Sequence, residues 1–193
     1  PWPLQTVLVI GLGNREITPD ALGPKTTENI LATRHISPEL ARSLGVNLRC
    51  RVAVLSPGVL GQTGVEAGEV ILGISSKIEP DAIIVIDALA SKSVSRLFNT
   101  LQISNTGITP GSGVGNSRFE ISEKTLKKPV ISIGVPTVVT AHTFKDEENN
   151  ELDMIVTPSA VDRLINDAAK LIGLSVNRAL QPFLSFEELQ YLT

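Results

Sequence analysis

Four short runs of aliphatic and β-branched residues, each bounded by Gly or Pro, constrain this chain more than any other feature. They are TVLVIG (6–11), RVAVLSP (51–57), DAIIVIDA (81–88) and PVISIGVP (129–136). Continuous apolar runs of this length predict strands that are buried on both faces, as in parallel sheets. Amphipathic segments at 24–34 and 65–77 lie between them. Strands that alternate with helices predict an α/β fold: a doubly wound, mostly parallel sheet with helices on both faces.

Three further segments complete the predicted architecture. TLQIS at 100–104 alternates Leu and Ile with polar residues, which predicts an edge strand with one exposed face. Residues 157–180 carry apolar residues at helical spacing after Thr157 and a proline, which predicts a long packing helix capped by that threonine. The charged, Asn-rich stretch 145–153 predicts a surface loop. We expect all 193 residues to form a single α/β domain, residues 1–193.

Charge and composition argue against several classes of protein. The net charge is -3, and the Lys and Arg residues are spread along the chain. This pattern lacks the basic stripe of a nucleic-acid-binding protein, so we expect no direct nucleic-acid partner. No apolar run reaches the roughly 18 residues of a membrane span. The single cysteine, Cys50, permits no internal disulfide and is typical of a buried small apolar side chain in a cytoplasmic protein.

Two acids follow predicted strands at the same edge of the sheet. Asp20 lies in the segment ITPDALGP after the first strand, and Asp87 lies at the carboxyl end of the third predicted strand. Ligands and catalytic groups of doubly wound sheets collect outside the carboxyl ends of the strands. Two carboxylates that meet there share a proton, so that one acts as a base and the other as an acid. Such a pair can activate a water molecule.

Each acid also has a structural interpretation. Asp20 can cap the helix predicted from Pro24, and Asp87 can accept a hydrogen bond from the turn after its strand. From spacing alone these are the more ordinary roles, because a carboxylate in such a position marks a functional site only statistically. The pattern of strands and acids therefore leaves both interpretations open.

Two glycine segments offer backbone N–H donors. GLGN (11–14) has Glu16 in place of the third glycine of a dinucleotide fingerprint, and PGSGVGN (110–116) lacks the lysine of a P-loop. Their N–H groups are candidates for holding substrate or an oxyanion, with a tight turn or cleft rim as the structural alternative. The candidate donors toward a substrate or an oxyanion are the N–H groups of Gly13, Asn14, Gly111 and Gly113. The chain has no GxSxG, HExxH or CxxC motif, the usual signatures of serine, zinc and redox enzymes.

Five segments carry a family resemblance in order along residues 7–139. They read VIGLGNREITPDALGP, SPGVLGQTGVEAGEVI, PDAIIVIDALASKSVSRL, LQISNTGITPGSGVGN and PVISIGVPTVV. Together they resemble the germination proteases of spore-forming bacteria, and a looser likeness continues into MIVTPSAVDRLINDAAKLI. That family consists of endopeptidases that degrade the small acid-soluble proteins coating spore DNA when germination starts.

The resemblance implies a fold related to that of the hydrogenase maturation proteases. It also implies an atypical aspartic mechanism, with essential acids in the TPDALG and IDALA motifs. In this sequence these are Asp20 and Asp87, the pair that the predicted strands bring to one edge. We therefore expect a cytoplasmic endopeptidase of the spore core that acts on small acid-soluble spore proteins. We expect it to work as a homo-oligomer, without a cofactor and without a membrane partner.

The chain departs from the family pattern in three places. Members of the family carry an N-terminal region that includes a pro-segment removed from the zymogen, and nothing precedes Pro1 here. They also carry a long charged insertion between the GVPTVV strand and the last helix, where this chain has only residues 140–155. Thr140 stands where we expect an acid. We therefore expect a fragment that lacks the N-terminal region and part of the insertion near 140–155.

Two alternative functions remain open at this point. The first is a metal-dependent maturation-type protease, because the hydrogenase maturation relatives hold a metal between two acids and a histidine. His35 is predicted at the end of the first helix, where it suits the helix dipole, and His142 lies in a loop beyond the fourth strand. Thr109 occupies the loop that would carry a third ligand, so we expect no metal. The second alternative is a non-catalytic α/β binding module.

Overall fold

The computed structural model describes residues 5–111, 119–140 and 155–193. Its strands are β1 (Thr6–Gly11), β2 (Arg51–Leu55), β3 (Ala82–Ser91), β4 (Gln102–Ser104), β5 (Val130–Thr140) and β6 (Ile155–Val156). They form one sheet in the order β2-β1-β3-β5-β4, and β6 pairs with the far end of β5. β1, β2, β3 and β5 are parallel, whereas β4 and β6 run antiparallel to β5. The mostly parallel sheet that the sequence predicts is confirmed.

Helices cover both faces of this sheet. They are α1 (Leu22–Thr27), α2 (Pro38–Ser43), α3 (Leu60–Thr63), α4 (Ala67–Ile78), α5 (Glu123–Leu126), α6 (Val161–Leu180) and α7 (Phe186–Leu192). Alternate residues of each strand point to opposite faces, so Val7 and Val9 pack in one apolar cluster with Leu22 and Ile172. Leu8 and Ile10 pack in a second cluster with Ile71 of α4. The doubly wound arrangement is therefore confirmed.

β3 and β5 are longer than the sequence predicts. They continue beyond 88 and 136 as a two-stranded extension that pairs as far as Ser91 and Val139, with a register shift after Leu89. Asp87 therefore lies within β3, and the prediction that it ends its strand is wrong. It lies instead just beyond the end of the neighbouring strand, since Gly11, the last residue of β1, pairs with Ile86.

Two local predictions about helices need correction. α1 ends at Thr27, so His35 is not at the end of a helix. α6 begins at Val161, and its N-cap residue Ala160 provides no side-chain cap. The Thr157 hydroxyl, three residues before Ala160, instead donates to the carbonyl of Thr137 on β5 over 2.8 Å. The predicted surface loop at 145–153 lies outside the described residues. The edge strand is confirmed, since β4 ends the sheet order and Ile103 is 67% exposed.

Two buried amide side chains attach α6 to the loops beneath it. Asn177 accepts from the N–H of Leu31 over 2.9 Å and donates to the carbonyl of Asn29 over 2.8 Å. One turn later, Gln181 accepts from the N–H of Arg49 and donates to the carbonyl of Cys50, each over 2.7 Å. These bonds supply partners to backbone groups that are removed from water. In the described part of the chain, none of the helices has the length and apolar character of a membrane span.

Candidate active site

A cavity of about 590 Å³ opens at the carboxyl ends of β1 and β3. β1 lies between β2 and β3 in the sheet, so the strand order reverses here. This is the position at which doubly wound proteins bind their ligands. Asp20 and Asp87 both line the cavity. The structure therefore brings together the two acids that the sequence singles out.

Asp87 is held rigidly and removed from solvent. Asp87 is 7% exposed, and its backbone pairs with that of Gly134 on β5. Its Oδ1 accepts a hydrogen bond from the N–H of Ala88 over 2.9 Å. Burial, and after it the negative charge of Asp20, raise the pKa of Asp87 to about 7, although the Ala88 N–H acts in the opposite direction. Asp87 therefore keeps its proton at mildly acidic pH.

Asp20 ends a single 3₁₀ turn, Thr18–Asp20, that contains Pro19. Its Oδ2 accepts a hydrogen bond from the backbone N–H of Asn14 over 2.7 Å. The turn is also tied to α6, because the Thr18 hydroxyl donates to Asp162 over 3.2 Å. α1 has Ala21 at its N-cap position, with no side-chain cap bond. The structural interpretation of Asp20 as a helix cap is therefore wrong. Its carboxylate instead accepts from the loop after β1, at Asn14, and Asp20 lines the cavity.

Glycines allow the Asp20 turn to lie against the strand ends. Gly13 has a φ of 113°, and a Cβ there would lie 2.0 Å from the carbonyl oxygen of Asp20. A Cβ on Gly23 would lie 2.2 Å from the carbonyl oxygen of Leu12 and 2.7 Å from that of Ile86. Both positions require glycine because no side chain fits. The GLG and DALG motifs therefore serve the close packing of the Asp20 turn and α1 on β1 and β3.

The four predicted backbone donors have different positions. Gly13 and Gly111 line the cavity, and their role toward a substrate stays a prediction. The N–H of Asn14 donates to Asp20, so it already has a partner other than the predicted oxyanion. Gly113 lies outside the described residues.

Sequence reasoning missed several residues of the cavity wall. Most of the wall is apolar, and Phe119 forms part of it by packing over Gly68 of α4, where a Cβ would lie 2.6 Å from its ring. Glu66 adds a third carboxylate, directly before α4. Its N–H donates to the Glu69 carboxylate over 3.1 Å. The two acids of the segment EAGE are the sequence signal from which this start of α4 could have been predicted. Gln102, on the edge strand β4, completes the rim.

The donor set does not fit a metal centre in the part of the chain that the structure describes. No group of three or more His, Cys, Asp or Glu side chains there is arranged to hold an ion. His35 is exposed and is not part of the cavity wall, whereas Thr109 is. His142 lies outside the described residues. The described residues of the cavity therefore do not fit a metal-bound water as the nucleophile.

Solved structures with this fold include two maturation proteases. The NiFe hydrogenase maturation protease HycI of Thermococcus kodakarensis aligns with a TM-score of 0.55 and 15% identity, covering 93% of this chain and 94% of that chain. The endopeptidase HycI of Escherichia coli aligns with a TM-score of 0.50 and 14% identity, covering 90% of each chain. A methylthioadenosine nucleosidase of Arabidopsis thaliana also aligns, with a TM-score of 0.50, 10% identity, and coverage of 96% and 99%. These likenesses establish the fold alone.

Fold and site together define an α/β protein that shares its fold with the maturation proteases and has two acids in a cavity at the point where the strand order reverses. The sequence profile described as germination protease matches residues 4–150. The germination protease of Clostridium tetani is 43% identical over 223 residues, covering 95% of this chain and 69% of the relative. That of Oceanobacillus iheyensis is 53% identical over 142 residues, covering 74% and 38%. The chain belongs to the germination protease family and is a protease, so a non-catalytic binding module is excluded.

Proposed function

We propose that this protease is an endopeptidase in which Asp20 and Asp87 activate a water molecule for attack on a peptide bond. The observation that carries the proposal is the buried Asp87, whose pKa is raised to about 7 by burial and by Asp20 in the same cavity. Two acids whose environments differ in this way can divide the roles of general acid and general base. Asp87 is then the protonated partner.

The chemical steps follow from this division. Asp87 donates its proton toward the scissile carbonyl oxygen, while ionised Asp20 accepts a proton from water as the water oxygen bonds to the carbonyl carbon. The N–H of Asn14 donates to the Asp20 carboxylate, a bond that is stronger when the acceptor is charged. Collapse of the tetrahedral intermediate returns a proton to Asp87, and the proton on Asp20 passes to the leaving nitrogen. N–H groups of Gly13 and Gly111 on the cavity wall are candidates for holding the substrate.

We propose small acid-soluble spore proteins as the substrate, and the spore core as the place of action. Membership of the germination protease family supports a protein substrate of germinating spores. The test is incubation of the folded protein with a purified small acid-soluble spore protein, followed by mass spectrometry of the products. Internal cleavage at defined bonds is the expected result. An intact spore protein, in a preparation that cuts casein, would exclude this substrate.

Asp20→Asn and Asp87→Asn test the mechanism, because each removes a proton-transferring group and keeps the size of the side chain. We expect each variant to keep its circular dichroism spectrum and to lose at least about a hundredfold in kcat. The wild-type rate should fall as the pH rises through about 7, where Asp87 loses its proton. Near-normal cleavage by either folded variant, or a rate that climbs steadily into the alkaline range, would rule out the proposed pair.

A further inference from the structure

A chain of two polar side chains leads from the protein surface to the Asp20 carboxylate. The amide Nε2 of Gln62, an exposed residue of α3, donates to Oδ1 of Asn14 over 2.9 Å. The same oxygen accepts from the backbone N–H of Glu16 over 2.9 Å. The N–H of Asn14 in turn donates to Oδ2 of Asp20 over 2.7 Å. Because both lone pairs of the Asn14 side-chain oxygen accept hydrogen bonds, Asn14 is attached both to its own loop after β1 and to α3.

We propose that Gln62 and Asn14 are positioning residues for Asp20, an inference that rests on the proposed role of Asp20 as the general base. Gln62 and Asn14 are 48 positions apart in the chain, so their bond joins the loop after β1 to the connection between β2 and α4. Within the described residues neither side chain is part of the cavity wall. Their effect on the reaction therefore passes through the carboxylate that Asn14 holds.

This arrangement predicts an effect on the chemical step rather than on substrate binding. Misplacement of a catalytic group lowers kcat, whereas KM changes only when groups that contact the substrate move. A single hydrogen bond from an exposed side chain contributes little to global stability. Loss of the Gln62 donor should therefore separate positioning of Asp20 from folding of the domain.

Gln62→Met, Gln62→Lys and Gln190→Met form a matched set for the test. Methionine has the length of glutamine but no donor, lysine restores a donor, and Gln190 is an exposed glutamine on α7. With a small acid-soluble spore protein as substrate, we expect Gln62→Met to lower kcat about three- to tenfold with little change in KM. Gln62→Lys should recover most of the loss. Gln190→Met should keep the wild-type kcat and KM.

The carboxyl ¹³C resonance of Asp20 gives a second measurement that does not depend on activity. We expect it to shift in Gln62→Met and to stay unchanged in Gln190→Met. An unchanged resonance together with an unchanged kcat would overturn the positioning role and leave the proposed function standing. A shifted resonance with an unchanged kcat would also overturn the positioning role, because Gln62 would then affect Asp20 without affecting the reaction, whereas the base role of Asp20 is tested separately by Asp20→Asn. A rise in KM without a fall in kcat would also overturn the inference, because it would indicate direct substrate contact.

Discussion

At the scale of single residues, the proton on Asp87 depends on where the neighbouring strand ends. β1 stops at Gly11, which pairs with Ile86, so Asp87 is the first residue of β3 beyond that strand. There its carboxyl group is buried beside the charge of Asp20 and is not matched by a cation on the described cavity wall. A carboxylate in such a place destabilises the fold whenever it is ionised. Catalytic groups often carry a cost of this kind.

Asp87→Asn should therefore stabilise the protein at neutral and alkaline pH. The folded-state pKa of Asp87, about 7, lies above the ordinary aspartate value of 3.8, so between these two values the folded state keeps a proton that the unfolded state has released. This contribution to stability is complete below the unfolded pKa and is lost as the pH rises through about 7. Because one pKa unit corresponds to about 1.4 kcal/mol, the unfolding free energy of Asp87→Asn should gain on the order of 4 kcal/mol over wild type between pH 4 and pH 8.

Urea unfolding at several pH values measures this difference. Glu120→Gln is a suitable control, because Glu120 is an exposed acid that is not part of the cavity wall. A pH-independent gap between Asp87→Asn and wild type would show that folding does not raise the pKa of Asp87.

At the scale of secondary structure elements, α6 holds the first half of the chain in place. Its apolar face packs on α1 and β1. The amide of Asn177 bonds to the backbone just after α1, and the amide of Gln181 bonds to the backbone just before β2. The Thr18 bond to Asp162 connects the same helix to the turn that carries Asp20. The last long helix therefore supports the site although none of its residues lines the cavity.

Gln181→Leu should destabilise the domain strongly. The substitution keeps the bulk of the side chain but removes two hydrogen bonds, to the N–H of Arg49 and to the carbonyl of Cys50, at a position that is 1% exposed. We expect a loss of about 2 to 4 kcal/mol in the free energy of unfolding. Gln190→Leu, on the exposed face of α7, should change it by less than about 0.5 kcal/mol. Equal midpoints for the two variants in urea would refute the bridging role.

At the scale of the whole molecule, the fold is shared by proteins of different chemistry. Maturation proteases and a nucleosidase both align with it, so the architecture supplies the cavity and the residues in it determine the reaction. Here the wall offers carboxylates, amides, hydroxyls and apolar groups. Its described donors do not form a metal set.

The cleavage activity of the full chain should therefore persist in chelators. We expect EDTA or 1,10-phenanthroline to change the rate by less than about twofold, because in the proposed mechanism carboxylates, and not a Lewis acid, activate the water. Rates before and after chelation, and after addition of Zn²⁺ or Ni²⁺, provide the measurement. Loss on chelation with recovery on adding one of these ions would favour the metal-dependent alternative, with His142 as the first residue to substitute.

The sequence by itself determined the class of fold, the protease family and the two acids. Apolar runs bounded by Gly or Pro predict buried strands from the local pattern of residues alone. β1 begins and ends where its pattern predicts, at Thr6–Gly11. The alternation of polar and apolar residues likewise identified the edge strand β4. The motifs around Asp20 and Asp87 can be recognised from the sequence because the residues that form each motif are consecutive.

Only the tertiary structure revealed that the pKa of Asp87 is raised and that the N–H of Asn14 donates to Asp20. The pKa of Asp87 depends on its burial beyond the end of β1 and on the charge of Asp20, which is distant in sequence. The bond from Gln62 to Asn14 likewise joins loops that no periodicity relates. β3 extends beyond its predicted end because β5 continues to pair with it there. Such features arise from contacts between distant segments, whereas a sequence pattern reports only the local burial of each segment.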